Sequence, residues 1–269
     1  MNELLQRVAM TVVDGVMAIL PRPVPDRAVL ERCKIISHRG EHDNVTILEN
    51  TLPAYEQARA ARVWGIEADI RFTADRVPVI CHDATTLRVF GQPVRVADVT
   101  FERLRREVPL VPSLAELIDT FGGNTHLMLE IKDEPRPDEP GQKAALQSLL
   151  APLTPVKDFH VLALDTALFD FVDFLPAACM LPVAELNTAA MSRAALASEW
   201  AGLAGHFLLL TERVQHRHVA RGQRIGTGFP ASRNCLFREL NRGVEWVFSN
   251  DAVKLQDIVN RHLKTPQPR

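Results

Sequence analysis

Residues 65–83 read Gly-Ile-Glu-Ala-Asp-Ile-Arg-Phe-Thr-Ala-Asp-Arg-Val-Pro-Val-Ile-Cys-His-Asp, and this stretch decides the fold. Its first part, Gly65 to Arg71, predicts a buried strand on which Glu67 and Asp69 share one face, because side chains alternate along a strand. A second run, Val77 to Cys81, follows after too few residues for a parallel crossover, which needs about a dozen. We therefore expect an antiparallel hairpin in which Cys81 lies roughly opposite Asp69.

Strand-like runs alternate with helical patterns along the rest of the chain. Eight runs are expected to form parallel strands: Lys34 to Ser37, Gly65 to Arg71, His126 to Lys132, Phe159 to Leu164, Cys179 to Ala184, His206 to Leu210, Arg224 to Phe229 and Glu245 to Phe248. Helical patterns between them include Leu52 to Arg62, Ser113 to Thr120, Gln142 to Leu150, Met191 to Trp200 and Ala252 to His262. Eight repeats in 269 residues predict an α/β fold, a (β/α)8 TIM barrel with the hairpin after its second strand.

The first 30 residues have a different pattern from the rest of the chain. Apolar residues recur at helical spacing from Leu5 to Leu20 and are followed by Pro21-Arg-Pro23-Val-Pro25. We expect an N-terminal amphipathic helix and a proline-rich linker over residues 1–30, and the barrel domain over residues 31–269. Packing of this helix on the domain or on a second subunit is favoured over a membrane surface, since its polar face is not basic.

The composition is that of an ordinary globular protein, with 46% hydrophobic and 24% charged residues. A net charge of -2, spread along the chain, excludes the basic footprint of a nucleic-acid-binding protein. Cys33, Cys81, Cys179 and Cys235 show neither CxxC spacing nor the density of a disulfide scaffold, which favours reduced thiols. With no evident signal peptide or spanning segment, we predict a cytoplasmic location.

Ionisable residues inside these apolar runs indicate a metal site. Glu67 and Asp69 on the second strand, with Glu130 on the third, can direct three carboxylates to one point. Such a set suits a hard divalent cation, Mg²⁺ or Ca²⁺, which takes oxygen ligands. His38 and His82 are candidates for an acid/base pair, because a histidine titrates near neutral pH.

Cations and an aromatic residue complete the predicted site. Arg39 and Lys132 can bind a phosphate, the arginine through two parallel hydrogen bonds and the lysine as a point charge. Phe229 is expected to form an apolar wall at the end of the seventh strand. His126 has no evident partner, and His218 is assigned to a solvated helix face. The inventory predicts metal-assisted attack on a small phosphodiester.

The motifs in their order resemble those of the glycerophosphodiester phosphodiesterase family. The resemblance rests on these segments: His38-Arg-Gly40, Glu49-Asn-Thr51-Leu-Pro-Ala54-Tyr55, Gly65-Ile-Glu67-Ala-Asp69, Thr73-Ala-Asp75, Val79 to Asp83, Pro112-Ser-Leu-Ala-Glu116-Leu and Leu129-Glu-Ile-Lys132. It covers the first half of the chain well and the second half thinly. The loop between Gly40 and Glu49 is longer than usual for the family, and the short span from Asp83 to Pro112 predicts an open mouth.

The resemblance implies a barrel hydrolase that releases glycerol 3-phosphate and an alcohol. It implies a divalent metal on Glu67, Asp69 and Glu130, an acid/base pair of His38 and His82, and phosphate contacts from Arg39 and Lys132. Either a neighbouring glycerol hydroxyl or water can be the attacking group. Two alternatives stay open: a lysophospholipase D-like enzyme at a membrane surface, and a non-catalytic barrel that binds phosphorylated ligands.

Overall fold

The computed structural model describes residues 15–264, which fold into a closed barrel of eight parallel strands. The strands are β1 Lys34–His38, β2 Gly65–Phe72, β3 Pro78–Ile80, β4 His126–Ile131, β5 Phe159–Ala163, β6 Met180–Ala184, β7 Gly202–His206, β8 Arg224–Gly228 and β9 Trp246–Ser249. All except β3 belong to the barrel wall, which closes where β1 pairs with both β2 and β9. The predicted (β/α)8 barrel is confirmed.

Helices cover the outside of this barrel and connect its strands. Their bounds are α1 Arg27–Arg32, α2 Leu52–Ala60, α3 Leu87–Phe90, α4 Phe101–Glu107, α5 Leu114–Phe121, α6 Glu139–Leu150, α7 Thr188–Ala197, α8 Glu212–Val219, α9 Arg233–Asn241 and α10 Ala252–Lys264. A 3₁₀ helix, Thr166–Val172, takes the place of an α-helix between β5 and β6. The loops that follow the carboxyl ends of the barrel strands form the mouth, where sites of this fold lie.

The hairpin is present in the expected register. Strand β3 pairs antiparallel with β2, Ile80 facing Ile70, and the Cys81 amide donates to the Asp69 carbonyl at 2.9 Å. Val79 of β3 and residues that follow it form a separate small apolar cluster, whose other buried members are Cys81, Leu104 and five valines up to Val111. The hairpin therefore rests on a separate core and carries His82 to the level of Asp69.

The sixth predicted barrel strand was wrong in position. The strand is Gly202–His206, and the apolar run that follows it belongs to the loop at the mouth. Sequence periodicity missed it because the strand is rich in small residues. A Cβ on Gly205 would lie 2.8 Å from the Ala184 carbonyl oxygen, and one on Gly226 would lie 2.7 Å from Phe248. Close packing inside the barrel therefore requires glycine where propensity argues against a strand.

The N-terminal segment contacts the outside of the barrel where it is described. Residues 15–19 are helical, and the Asn234 side chain donates to the Ala18 carbonyl at 2.6 Å. Asn241 donates to the Pro23 carbonyl at 2.9 Å, and Leu30 of α1 is buried. Most of the predicted amphipathic helix lies outside the described residues. Within residues 15–264, no helix has the length and apolarity needed to cross a bilayer.

Two histidines pair at the amino-terminal end of the barrel, although the sequence showed no evident partner for His126. His126 Nε2 and His160 Nδ1 lie 2.8 Å apart, and His126 Nδ1 lies 3.0 Å from the Lys157 carbonyl oxygen. The ring of Trp64 stacks on His126 with centroids 4.2 Å apart. The expectation for His218 was also wrong, because it is buried and its Nε2 lies 2.9 Å from Ser192 Oγ.

This buried pair predicts a loss of stability in acid. Burial lowers the pKa of His126 to about 4 and that of His160 to about 3. The unfolded chain binds protons near pH 6.5 while the folded chain does not, so the free energy of unfolding falls as pH falls below about 6.5. One such histidine accounts for about 2 kcal/mol between pH 7 and pH 5. Urea unfolding of wild type and His160→Gln at both pH values measures the difference.

The variant should lose less stability than wild type over this interval, although it starts less stable. His216→Gln is the matched control, because His216 is an exposed histidine of α8. Equal losses of unfolding free energy for wild type and His160→Gln would show that protonation of this pair does not cause the instability in acid.

Candidate active site

Three carboxylates meet at the mouth of the barrel. Asp69 on β2 and Glu130 on β4 are register partners, and Glu67 lies on the same strand face as Asp69. One oxygen from each of the three lies within 4.8 Å of the others, and all three residues are buried. The structure thus brings together the predicted metal ligands Glu67, Asp69 and Glu130.

Two cations neutralise part of this charge. Lys132 Nζ lies 2.7 Å from Asp69 Oδ1 and also contacts Glu130. Arg39 Nε lies 3.3 Å from Asp69 Oδ2, and the Arg39 backbone amide donates to Glu67 Oε2 at 3.0 Å. Both predicted phosphate-binding side chains therefore border the carboxylate cluster.

The carboxylate cluster is electrostatically incomplete without a further cation. Burial, and then the charges of Asp69 and Glu130, raise the pKa of Glu67 well above its usual value. Burial raises the pKa of Glu130 as well, whereas the charges of Lys132 and Arg39 outweigh burial at Asp69 and lower its pKa. Glu67 Oε1 is buried and accepts no hydrogen bond from any described residue. Three hard oxygen donors and an orphaned carboxylate oxygen fit a divalent cation.

His38, at the end of β1, lies beside the carboxylates. Its Nε2 is 3.9 Å from Glu67 Oε2, and its Nδ1 is 2.7 Å from Asn250 Oδ1. A proton on Nδ1 lets the ring donate to this amide oxygen, which leaves Nε2 free to face the site. Burial, and next the charge of Arg39, lower the pKa of His38 to about 3. The ring is therefore neutral at physiological pH and can accept a proton.

His82 has a different partner. Its Nδ1 donates to Asp83 Oδ1 at 2.6 Å, and Asp83 Oδ2 in turn accepts from Arg88 Nε at 2.6 Å. Arg88 also donates to Glu49 Oε1 at 2.6 Å, and Arg39 donates to the same oxygen at 3.1 Å. A carboxylate beside the ring favours the protonated form of His82, although burial lowers its pKa overall. Glu49 thus binds Arg39 directly and is connected to His82 through Arg88 and Asp83.

Several positioning residues were not identified from the sequence. Asn50 Nδ2 donates to Asp69 Oδ2 at 2.7 Å, and the buried Tyr55 hydroxyl donates to Asn50 Oδ1 at 2.7 Å. Asn250 reaches the site from the loop after β9, and Arg88 reaches it from the short helix α3. Asn50 and Tyr55 belong to the motif around Pro53 quoted above, so this polar pair could have been identified as part of the site from the sequence. No sequence motif around Arg88 identifies it as a site residue.

Phe229 follows β8 and packs against the site. Its ring meets that of His38 edge to face, with centroids 4.8 Å apart. The predicted apolar wall therefore touches the candidate acid/base residue. Together with the carboxylates and cations, the geometry suits a phosphodiester bound between His38 and His82.

Comparison with known proteins finds a match to a family model. Residues 38–158 match the model of the glycerophosphoryl diester phosphodiesterase family. The chain is similar to that family over somewhat less than half of its length. The match runs from His38, the last residue of β1, to the residue before β5, and it includes all three carboxylates, both histidines and both cations of the site.

Curated members of the family are similar over the same part of the chain. Glycerophosphodiester phosphodiesterase 1 of Bos taurus is 40% identical over 94 residues, which is 32% of this chain and 28% of that protein. A glycerophosphodiester phosphodiesterase of Bacillus altitudinis is 37% identical over 110 residues, 37% of this chain and 44% of that protein. The chain thus matches less than half of the length of these relatives.

Solved structures of the family share the whole barrel. A glycerophosphodiester phosphodiesterase from Thermotoga maritima superimposes with a TM-score of 0.71 at 17% identity, over 84% of this chain and 98% of that one. A phosphodiesterase from Oleispira antarctica, solved with its product sn-glycerol-3-phosphate, gives 0.71 at 20% identity, over 84% of this chain and 96% of that one. These likenesses confirm the barrel fold.

Proposed function

We propose that this chain hydrolyses glycerophosphodiesters to glycerol 3-phosphate and an alcohol, in a reaction that depends on a divalent metal ion. The observation that carries the proposal is the convergence of three buried carboxylates, two histidines and two cations at one barrel mouth. The match to the glycerophosphoryl diester phosphodiesterase family supports the reaction class, and the Oleispira structure with bound sn-glycerol-3-phosphate supports the product.

Glu67, Asp69 and Glu130 are the residues that would hold Mg²⁺ or Ca²⁺. When bound, the metal supplies positive charge to a phosphate oxygen and favours ionisation of the attacking group. Lys132 and Arg39 keep Asp69 ionised and add positive charge for the phosphate.

The two histidines move the protons. His38 Nε2 takes the proton from the attacking hydroxyl or water as its oxygen bonds to phosphorus. His82 gives a proton to the alkoxide that leaves as the phosphorus–oxygen ester bond breaks. The assignment follows from their Nδ1 partners, since a neutral amide suits a base and a carboxylate suits an imidazolium acid. Phe229 excludes water beside His38.

Hydrolysis of a panel of glycerophosphodiesters by the full chain tests the proposal. Purified protein is stripped of metal with a chelator and assayed with added Mg²⁺, Ca²⁺ or neither, and released glycerol 3-phosphate is measured. We expect turnover only with metal, and at least a hundredfold drop without it. Binding of glycerol 3-phosphate without hydrolysis of any ester would favour the non-catalytic barrel instead. The division at residue 30 and the cytoplasmic location stay predictions.

A further inference from the structure

Arg88, on the short helix α3, binds two carboxylates with one guanidinium group. Its Nε donates to Asp83 Oδ2 at 2.6 Å, and its Nη2 donates to Asp83 Oδ1 at 3.2 Å. Its Nη1 donates to Glu49 Oε2 at 3.1 Å, and Nη2 also donates to Glu49 Oε1 at 2.6 Å. The planar fork of an arginine can bind two carboxylates in this way, whereas a lysine ammonium acts as a point charge. Arg88 therefore connects the loop after β1 to the loop after β3.

Asp83 connects Arg88 to the candidate acid. Its Oδ1 accepts from His82 Nδ1 at 2.6 Å as well as from Arg88 Nη2. Arg88 binds both oxygens of Asp83, which fixes the plane of the carboxylate and the direction of its hydrogen bond to the ring. Among the described residues, only His82 and Arg88 donate to this carboxylate. Without Arg88, Asp83 can rotate, and the orientation of His82 is lost with it.

Glu49 connects Arg88 to the phosphate side of the site. Glu49 is 3% exposed, and its Oε1 also accepts from Arg39 Nη1 at 3.1 Å. Burial opposes ionisation of Glu49, but hydrogen bonds from Arg88 and the charge of Arg39 lower its pKa to about 2, so Glu49 is an anion at neutral pH. Arg88 supplies part of the positive charge that compensates this buried anion, and Arg39 does not have to supply all of it.

Exposure alone would make Arg88 an ordinary surface residue. Its side chain is 47% exposed, and exposed ion pairs contribute little to stability. Arg95, between α3 and α4, is such a case, because its side chain is 55% exposed and its Nε lies 3.8 Å from Asp98 Oδ1. Arg88 differs from Arg95 because each of its carboxylate partners also binds a residue of the candidate site.

We propose that Arg88 is a positioning residue of the active site, in which one guanidinium holds the acid His82 through Asp83 and compensates Glu49 beside the phosphate-binding Arg39. This inference rests on the proposed function and adds to it a residue that does not itself touch the substrate. Arg88 has two separable effects. It orients the ring that protonates the leaving oxygen, and it prevents an uncompensated anion from facing the substrate phosphate.

Arg88→Met distinguishes the two effects when it is assayed with two substrates. With glycerophosphocholine, whose leaving alkoxide needs a proton, kcat should fall about 10- to 100-fold, because the acid is misplaced. With a glycerol p-nitrophenyl phosphodiester, kcat should stay within about threefold of wild type, because this leaving group needs no proton. KM for both esters should rise at least about threefold, since the Glu49 charge then repels the phosphate and binds Arg39 more tightly.

A second substitution isolates the effect on KM. Glu49→Gln in the Arg88→Met background removes the uncompensated charge and keeps an oxygen that can accept from Arg39. KM should return to within about twofold of wild type, while kcat on glycerophosphocholine stays low, because Asp83 still lacks its partner. Arg95→Met is the matched control and should equal wild type in kcat and KM for both esters.

Three results overturn the inference. Wild-type kinetics of Arg88→Met with both esters show that Arg88 positions neither group. Equal losses of kcat on both esters, with a lower Tm and no response of KM to Glu49→Gln, show a structural role only. If Arg88→Met does not fold, Arg88→Lys replaces it. Its ammonium keeps the charge but cannot hold both carboxylates, so kcat on glycerophosphocholine should still fall, and a wild-type kcat overturns the inference.

A wild-type protein that hydrolyses neither ester contradicts the proposed function, and an NMR measurement then decides the inference alone. The hydrogen-bonded Nδ1 proton of His82 is followed in protein with isotope-labelled histidine and is assigned by its loss in His82→Gln. Loss or displacement of this signal in Arg88→Met but not in Arg95→Met supports positioning by Arg88. An unchanged signal in Arg88→Met overturns it.

Discussion

Replacing His82 with alanine is expected to reduce kcat about 10²- to 10⁴-fold on glycerophosphodiesters with poor leaving groups. The variant removes the proton that the leaving alkoxide requires. Asp83 holds His82, and Arg88 holds Asp83, so in this hydrogen-bonded series the His82 ring is the group expected to meet the leaving oxygen. Steady-state kinetics with a natural alcohol as leaving group measure the loss.

His38→Ala should cause a loss of similar size through a different step. A p-nitrophenyl ester needs no proton on its leaving group, so it should restore most of the activity of His82→Ala and little of that of His38→Ala. His216→Ala, an exposed histidine of α8, is the control and should stay within about threefold of wild type. Equal rescue of both variants would contradict the separate roles of base and acid.

Sequence patterns predicted those parts of the fold that depend on interactions between residues close together in the chain. The carboxylate pair on β2 followed from strand alternation, and the hairpin register followed from the shortness of the turn before β3. The antiparallel return could be predicted because no other connection fits so few residues. Strand β7 was misplaced because its glycines, Gly202 and Gly205, are selected by close contacts with the backbone of Arg224 and Ala184, which are distant in sequence.

The residues that hold the side chains of the candidate site in place show the same limit of prediction from local sequence. His38 was found from its motif, but its partner Asn250 lies 212 residues away and meets it only because β1 and β9 are neighbours in the closed barrel. Arg88 acts on His82 and Arg39 through carboxylates from two different loops. Long-range pairing of this kind depends on the folded geometry, and a strand count alone does not give it.

Glu67→Gln is expected to alter stability differently with and without a divalent metal ion. Without metal, the variant removes a buried acid whose neighbours Asp69 and Glu130 oppose its ionisation, so the free energy of unfolding should be unchanged or higher by up to about 2 kcal/mol. Glutamine also keeps an oxygen that can accept from the Arg39 amide. With metal at a hundredfold excess over its Kd, wild type should gain about 2.7 kcal/mol, and the variant much less.

Thermal unfolding of chelator-treated protein, with and without Mg²⁺ or Ca²⁺, measures both effects. Wild type should gain roughly 5 to 10 °C in Tm on adding the metal that binds. Glu212→Gln, an exposed carboxylate in the first turn of α8, is the control and should gain as much as wild type. A Glu67→Gln protein that keeps the full metal-induced gain would remove Glu67 from the ligand set. One that is less stable than wild type without metal would show that the charge of Glu67 stabilises the metal-free fold through its Oε2 contacts.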